Sequence, residues 1–256
     1  MFYILLTLLK LIRMTFTYDS FIRLLHLLKK NGYTFSNYRN WIDNEKSVIM
    51  RHDIDNDIKK AFELAEIEKK NEVKSTYFIL LTSDFYNVFS SNSTNLIKGI
   101  MCCGHDIGLH FDEMRYADLK TPADIAERIT EEAKTLSLIT EKKVDVVSMH
   151  RPSKMMLESD LYIPGIINTY GTVFFNQFKY LSDSRRCWRE PVEEIVSSRR
   201  YDRLHILTHA IWYNDCDMNI HDSVFRFINS GNAQRYESLK SNISDLQSIM
   251  NESEIR

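Results

Sequence analysis

The sequence predicts an α/β fold, in which strands and helices alternate along the chain to build a parallel sheet or barrel. Short runs of apolar, β-branched and aromatic residues at 75–81 and 144–149 are typical of buried strands. Longer stretches at 57–70 and 121–138 have apolar residues at helical spacing and separate the strands. Such alternation indicates parallel strands. The chain has seven glycines, four prolines and no Gly/Ser linker, so we expect one domain over residues 14–256.

Each predicted element has a local signal. Apolar residues recur at helical spacing over 18–30, and Asn31-Gly32 ends that helix. Thr121-Pro122 begins another helix, because threonine caps the free amides and proline fits the first turn. The remaining predicted helices are 57–70, 94–101 and 233–250, and the predicted strands are 47–50, 75–81, 105–110, 144–149 and 205–208. Residues 173–181 are aromatic-rich and fit either type.

Composition narrows the class of protein. Acidic and basic residues are well mixed, with a net charge of −2, whereas a nucleic-acid-binding domain shows a basic face and a high pI. We therefore expect no nucleic-acid partner. The four cysteines, Cys102, Cys103, Cys187 and Cys216, show no CxxC spacing. A disulfide framework is unusual in a chain of this size and pattern, so we interpret them as reduced thiols of a cytoplasmic protein.

Residues 2–12 form a strongly apolar segment. The segment is too short to span a bilayer, which requires about 20 apolar residues, and it lacks the small-residue cleavage site of a signal peptide. The polar and aromatic residues 15–19, directly after Met14, fit the start of a folded domain. The sequence therefore predicts that residues 1–13 are an upstream extension, disordered or a mis-assigned start, and that the chain has no stable membrane span.

Five of the eight histidines lie in four short segments that each end a predicted strand. Strands that alternate with helices place their C-terminal ends on one rim, so we expect these segments to meet there. The segments are 51–55, 104–110, 148–152 and 207–209. Imidazoles and carboxylates that meet in this way are typical of a metal-assisted hydrolytic site.

Asp53 and Asp55 are the most informative pair in these segments. They lie two residues apart, so in a continuing strand both side chains point to the same face. One carboxylate can bind a divalent metal ion while the other accepts a proton from the attacking water, whose pKa the metal lowers towards about 7. The alternative is that Asp55 or Asp57 caps the helix that starts near residue 57. For Asp55 both interpretations remain open.

The other candidate ligands are histidines. His105 and His110 differ in parity along their strand, so only one of them readily faces the rim. His110 ends the strand and is the better metal ligand, whereas His105 begins it and is expected to be structural. His150 follows another strand and either completes the metal ligands or binds substrate. Arg151 either holds the proton-accepting aspartate ionised through a charge-assisted hydrogen bond or anchors a loop.

His209 ends the last predicted strand and suits a general acid that protonates a leaving group. His205 lies earlier in the same strand and is expected to be buried. Trp188 and Trp212 either wall a sugar-binding pocket, because aromatic rings stack on sugar faces, or pack in loops.

These motifs, in this order, resemble those of polysaccharide deacetylases of the NodB-homology class, the carbohydrate esterase family four superfamily. The chain is most similar to the divergent branch associated with bacterial surface-polysaccharide gene clusters, over about residues 14–213. The motifs that carry the resemblance are Arg51-His52-Asp53-Ile54-Asp55, Ser75-Thr76-Tyr77-Phe78, Gly104-His105-Asp106-Ile107-Gly108-Leu109-His110-Phe111, His150-Arg151-Pro152-Ser153 and Leu207-Thr208-His209.

The resemblance implies a deformed (β/α) barrel of about seven strands that binds zinc or a similar divalent ion through one aspartate and two histidines. On that pattern Asp53 is the general base and Asp55 the metal-binding aspartate. His110 matches the first metal-binding histidine. Arg151 matches the arginine that tethers the base, and His209 matches the general acid.

One position departs from the family pattern. The second metal-binding histidine of the family follows the first by four residues, and here that position is Met114. A thioether is a poor ligand for a hard or borderline divalent ion. His150, Asp112 and Glu113 are the substitutes within reach, and we favour His150 because it keeps two nitrogen ligands around the metal.

The resemblance therefore predicts a metal-dependent hydrolase of an amide bond on a sugar, most simply a carbohydrate N-deacetylase in surface-polysaccharide or lipopolysaccharide biosynthesis. The expected substrate is a carbohydrate or a nucleotide sugar, and the expected cofactor is zinc. The alternative, motivated by Met114, is a non-hydrolytic sugar-binding or acyl- or formyl-transferring protein on the same barrel.

Overall fold

The computed structural model describes residues 14–255. Residues 1–13, predicted to be an upstream extension, lie outside the described residues. The chain divides into two compact units, one ending at Asp215 and the other beginning at Cys216. All eight strands fall in the first unit. The single domain over residues 14–256 remains a prediction. No helix of the described part of the chain is long and apolar enough to cross a membrane.

The first unit is built around one sheet of eight strands, and every strand pairing in it is parallel. Seven strands follow the order β6-β5-β4-β3-β2-β8-β7, and β1 pairs with β2 beside this path. The strands are β1 Thr34–Ser36, β2 Ser47–Ile54, β3 Thr76–Leu80, β4 Asp106–Phe111, β5 Val146–Met149, β6 Ile167–Asn168, β7 Lys179–Ser182 and β8 Arg203–Thr208.

The sheet curls into a half-barrel, which confirms the predicted α/β fold and the deformed barrel of about seven strands. β6 and β7 are the two ends of the seven-strand path, and over residues 14–255 no pairing joins them. The barrel therefore has a seam between β6 and β7, where its interior is not closed by backbone hydrogen bonds.

Helices connect the strands, and the four longest of the first unit begin at capping side chains. Thr17 caps α1, Asp57 caps α2 and Thr121 caps α4 through a reciprocal capping box with Asp124. The helices of the first unit are α1 Tyr18–Lys30, α2 Ile58–Lys70, α3 Ser91–Cys102, α4 Pro122–Thr140, α5 Lys154–Glu158, α6 Thr172–Asn176 and α7 Val192–Ser198, and those of the second unit are α8 Ile220–Lys240 and α9 Leu246–Ile249.

Two separate clusters of buried apolar side chains lie in the first unit. The larger one includes Leu24, Leu64 and Ile79, where the helices pack against the sheet. The smaller one fills the N-terminal half of the barrel interior with Tyr38, Trp41, Ile49, Phe78, Val146, Phe174 and Phe178. The interior is therefore packed with aromatic rings at one end, which leaves the C-terminal rim for polar side chains.

Alternate residues of β2 belong to opposite sides of the sheet. Arg51 points into the barrel, where its guanidinium lies 5.5 Å from the ring centroid of Phe78. The next residue, His52, points outwards, and its Nε2 lies 2.9 Å from the carboxylate of Glu68 on α2. Its Nδ1 lies 2.6 Å from the hydroxyl of Thr208. One strand thus contributes to the interior and to a buried polar network under the helices.

Several boundaries differ from the sequence-based predictions. β1 and β6 were not predicted, because a strand of two or three residues carries no periodic pattern. Residues 173–181, which fitted either type, contain both α6 and β7. The last long helix begins at Ile220, not at 233 as predicted. Its start is marked by Asn219, whose side chain caps the amide of Asp222.

Candidate active site

Three predicted metal ligands converge at the C-terminal ends of β2, β4 and β5. Asp55 follows β2, His110 lies in β4 and His150 follows β5. Oδ1 of Asp55 lies 3.1 Å from Nε2 of His110 and 3.1 Å from Nδ1 of His150. The two imidazole nitrogens are 3.2 Å apart. The three ligand atoms thus form a nearly equilateral triangle.

The backbone around Asp55 is fixed by the loop that follows β3. The hydroxyl of Ser83 donates to the carbonyl of Asp55 at 2.9 Å, and the hydroxyl of Tyr86 donates to the carbonyl of Ile54 at 2.6 Å. Asp57, two residues further on, caps α2. The capping alternative therefore applies to Asp57, and the side chain of Asp55 is left to face the two histidines.

These residues fit a divalent metal ion. Oδ1 of Asp55 is buried and has no hydrogen-bond partner of acceptable geometry among the described residues, although two imidazole nitrogens lie beside it. A tetrahedral zinc ion, with bonds of about 2.0–2.1 Å, holds its ligand atoms about 3.3 Å apart. The observed spacings of 3.1–3.2 Å are close to this value. One carboxylate and two imidazoles are also a donor set that suits zinc.

The pKa values of this group follow from its burial and its contacts. Burial raises the pKa of Asp55, but His110 and His150 outweigh this effect and hold the pKa well below its usual range. Burial lowers the pKa of His150, and Asp55 more than offsets this, so that the pKa is raised. The ionised carboxylate is therefore the stable form of Asp55, as a metal ligand requires.

Asp53 lies beside the three candidate ligands but is held by other groups. Its Oδ2 is 3.8 Å from Nε2 of His110. The hydroxyl of Ser148 on β5 lies 3.5 Å from both carboxylate oxygens and 3.2 Å from Nδ1 of His110. Ser148 therefore lies between Asp53 and His110.

The arginine that contacts Asp53 is Arg51, and the predicted contact with Arg151 is corrected. Nη2 of Arg51 donates to Oδ2 of Asp53 at 2.8 Å, and both side chains are buried. Arg151 instead pairs with the buried carboxylate of Asp112. The physical reason is parity: Arg51 and Asp53 share the inner face of β2, whereas Arg151 lies beyond β5 and is largely exposed.

His209 follows β8 on the other side of Asp55, with 3.9 Å between its Nε2 and Oδ2 of Asp55. Its Nδ1 donates to Oδ1 of Asp183 at 2.7 Å, and its backbone amide donates to Oδ2 at 3.1 Å. Burial lowers the pKa of His209, but the hydrogen bond and charge of Asp183, with Asp55 and Asp53, raise it to about 9. The imidazole is therefore protonated at neutral pH.

Three residues of the site were not predicted from the sequence: Arg51, Ser148 and Asp183. Arg51 and Ser148 share the inward parity of known site residues on their strands, a signal that the sequence contains. Asp183 directly follows β7, so it is a polar residue at a strand end, like the others. The ambiguity of residues 173–181 concealed that strand end.

The remaining sequence candidates lie elsewhere or are engaged. His105 contacts Ser75 and the carbonyl of Ala65 in the buried network outside the barrel. The side chain of Met114 is exposed. Asp112 is paired with Arg151, and Glu113 accepts from the backbone amide of Ser153, so both substitutes other than His150 have partners. His205 is buried and lies 2.8 Å from the hydroxyl of Tyr38.

Beside Asp53, a cavity of about 490 Å³ extends into the barrel at the seam between β6 and β7. Trp188 lines it, and both Trp188 and Trp212 pack against the core between helices and sheet, so the sugar-binding role of these rings stays a prediction. Arg51 lines the cavity and also donates to Asp53, so one side chain is shared by the cavity and the candidate active site.

Solved structures that resemble this chain include known deacetylases. The Streptococcus pyogenes deacetylase PplD in complex with acetate is 18% identical, with 55% of this chain and 66% of that chain covered and a TM-score of 0.43. The catalytic domain of peptidoglycan N-acetylglucosamine deacetylase from Eubacterium rectale is 16% identical, with 73% and 84% covered and a TM-score of 0.46. A pseudoenzyme of carbohydrate esterase family 4 from Bacillus anthracis, BA3943, is 14% identical, with 75% and 62% covered and a TM-score of 0.43.

These structural matches fall in the carbohydrate esterase family that the sequence motifs indicated. The chain spans slightly less than two thirds of the length of PplD and of the pseudoenzyme. No protein-family model matches the sequence, and no curated protein matches it.

Proposed function

We propose that the protein is a metal-dependent hydrolase that removes an N-acyl group from a sugar. The observation that supports this most directly is the position of Oδ1 of Asp55, which is buried, accepts no hydrogen bond of acceptable geometry from the described residues and lies 3.1 Å from two imidazole nitrogens. Asp53 and His209 lie on the same rim with properties suited to a base and an acid. Asp55, His110 and His150 hold the metal ion in this proposal.

An ion held by Asp55, His110 and His150 would supply Lewis-acid chemistry, which would polarise the acyl carbonyl and make water more acidic. Asp53 accepts the proton of the attacking water, and Arg51 keeps that carboxylate oriented through the 2.8 Å hydrogen bond. His209 protonates the departing amine through Nε2, because its Nδ1 proton is held by Asp183. Ser148 accepts from Nδ1 of His110, which leaves Nε2 of that imidazole free as a ligand.

The proposal also covers the identity of the ion, the substrate, the biosynthetic role and the cellular location. The donor set supports zinc as the ion, and the aromatic and hydroxyl side chains of the adjoining cavity support a carbohydrate substrate, free or as a nucleotide sugar. The sequence resemblance supports a role in surface-polysaccharide biosynthesis, and the cysteine pattern supports a cytoplasmic location.

The proposal is tested by metal content and amide hydrolysis measured on the same preparations. Asp55→Asn is expected to lose stoichiometric zinc and activity together, because it removes the only carboxylate of the proposed ligand set. His209→Gln is expected to keep zinc and lose about 10²–10⁴-fold in rate, the usual contribution of a general acid. Asp222→Asn, at an exposed aspartate of the second unit, serves as the control for both measurements.

Zinc bound by Asp55→Asn as tightly as by the unchanged protein contradicts the ligand assignment. A protein that binds carbohydrate and takes up no divalent ion after reconstitution points to the alternative function, a non-hydrolytic sugar-binding or acyl-transferring protein.

A further inference from the structure

The cavity at the seam is closed at its inner end. Its lining comes from Thr169, Tyr170 and Phe175 on one side of the seam and from Tyr180 and Ser182 on the other. His205 lies at the inner end. The buried aromatic cluster of the barrel interior lies behind it, with ring centroids of Tyr38 and Phe174 at 5.6 and 6.1 Å from that of His205. The cavity is therefore a pocket with a single floor and not a channel through the barrel.

Arg51, which lines this pocket, has one buried donor without an acceptor among residues 14–255. Arg51 is 1% exposed, and its Nη1 and Nη2 donate to Thr169 and Asp53. Its Nε is buried and has no hydrogen-bond partner among the described residues. An unsatisfied buried N–H costs about 1–3 kcal/mol, so the pocket wall formed by Arg51 is polar and incompletely hydrogen-bonded among the described residues.

The chemistry of the walls suits one sugar ring. The rings of Tyr170 and Phe175 pack against each other at 5.6 Å and present aromatic faces, on which the C–H face of a sugar stacks. The hydroxyls of Ser182 and Ser184 and the guanidinium of Arg51 supply hydrogen bonds for sugar oxygens. The volume of about 490 Å³ lies within the range of about 300–1,000 Å³ for small-molecule pockets.

Building on the proposed function, we propose that this pocket holds a single N-acylated amino-sugar unit, so that the substrate is a small saccharide or the end of a chain. Asp53 and the pocket share Arg51, which places the sugar next to the hydrolytic site. An internal unit of a polymer has neighbours on both sides, and the closed floor leaves no path for the second neighbour.

Binding to the metal-free protein tests the pocket independently of hydrolysis. The probes are the monosaccharides N-acetylglucosamine, N-acetylgalactosamine and N-acetylmannosamine, and the readout is calorimetry with tryptophan fluorescence, to which Trp188 contributes. We expect at least one of them to bind, and Ser182→Phe, which fills the pocket, to weaken that affinity at least about tenfold. Ser198→Phe, at an exposed serine of α7 outside the lining, is the matched control and is expected to bind normally.

If Ser182→Phe does not fold, Ser184→Phe blocks the mouth of the same pocket and is expected to have the same effect. Unchanged affinity in a folded filling variant overturns the proposal, and so does the absence of binding by all three monosaccharides.

Product analysis with zinc present gives a second measurement. With N-acetylglucosamine tetramer as substrate, mass spectrometry is expected to find the lost acetyl group at one terminal unit only. Equal loss from internal units overturns the pocket proposal while leaving the proposed hydrolase standing. If monosaccharides bind and Ser182→Phe weakens that binding, but no hydrolysis occurs, the pocket proposal stands. The proposal of a hydrolase then fails.

Discussion

Arg51 and Asp53 form a buried ion pair within one strand, with 2.8 Å between Nη2 and Oδ2. The pair replaces the predicted contact between Asp53 and Arg151. Because side chains two apart on a strand share a face, β2 supplies both charges without help from another element. The proposed base is therefore oriented by its own strand.

This relationship predicts unequal effects for the two arginines. Arg51→Met is expected to lower the free energy of unfolding by about 3–5 kcal/mol, because it leaves a buried carboxylate unpaired. Arg151→Met is expected to cost less, about 1–3 kcal/mol, because its guanidinium is largely exposed and the buried carboxylate of Asp112 still accepts from the backbone amide of Met114. Urea unfolding of both variants measures the difference, and the double variant Arg51→Met with Asp53→Leu should recover part of the loss. Equal losses for the two single variants contradict the assignment.

The pair of His209 and Asp183 predicts an unusual titration. In the metal-free protein the His209 imidazole is expected to titrate near pH 9, because Asp183 accepts the hydrogen bond from Nδ1. Asp183→Asn removes the charge that raises this pKa, so the NMR titration of His209 should move to lower pH. The stability from the pair is fully present below the unfolded pKa of about 6.5 and is lost as the pH rises through about 9. An unchanged His209 titration in Asp183→Asn contradicts this origin of the shift.

The third metal ligand is tested by a rescue experiment. His150→Ala is expected to lose zinc, because it removes one of the three atoms that surround the site. Restoring the family residue with Met114→His in that background is expected to leave zinc binding lost, since the Met114 side chain is 66% exposed. Metal content after reconstitution gives the answer. Recovery of zinc would show that position 114 reaches the site and that His150 is not the required ligand.

Because the pKa of Glu132 on α4 is raised, we expect the protein to lose stability as the pH rises. Burial raises its pKa to about 7, and within residues 14–255 only one of its carboxylate oxygens has a hydrogen-bond partner, the hydroxyl of Tyr116. Between about pH 4.5 and 7 the unfolded chain has released this proton and the folded protein retains it, so stability falls as the pH rises, by on the order of 3 kcal/mol. Glu132→Gln lacks this titration, so the variant should gain stability over the unchanged protein across that interval. Parallel pH profiles would refute the shift.

We expect substitution by alanine to have opposite effects on stability at two glycines, Gly108 and Gly231. A Cβ at Gly108 in β4 would lie 2.4 Å from the ring of the buried Phe78, so Gly108→Ala should destabilise the protein by about 1–3 kcal/mol. A Cβ at Gly231 in α8 meets nothing within 4 Å, so Gly231→Ala should stabilise its helix by about 0.5–1 kcal/mol. Denaturant unfolding with far-UV circular dichroism measures both. A tolerated Gly108→Ala would show that Phe78 can move.

Most of the fold is readable from the sequence, because its strands and long helices carry local patterns. The helix at 18–30 and the one begun by Thr121 match α1 and α4. Elements whose formation depends on neighbours were missed, as for β6, which has two residues and pairs only with β5. The early start of α8 was missed because a polar helix has little periodicity.

The residues that hold the proposed metal ligands and the general acid in place were harder to predict than the ligands themselves. Histidines and aspartates at strand ends can be recognised by their position in the sequence. The structure brings three of them together, Asp55, His110 and His150. The groups that hold them depend on which strands face each other, which a single sequence does not show. Asp183 reaches His209 because β7 and β8 are neighbours.

Arg51 and His52 point to opposite faces of β2. This arrangement restricts the insertions and deletions that the strand can accept during evolution. Its inner residues serve the rim and its outer residues serve Glu68 beneath the helices. Deleting or inserting one amino acid within Ser47–Ile54 would exchange the two sets, placing the imidazole inside and both charges of the ion pair against the helical layer. The length of this strand is therefore constrained in addition to the identities of its polar residues.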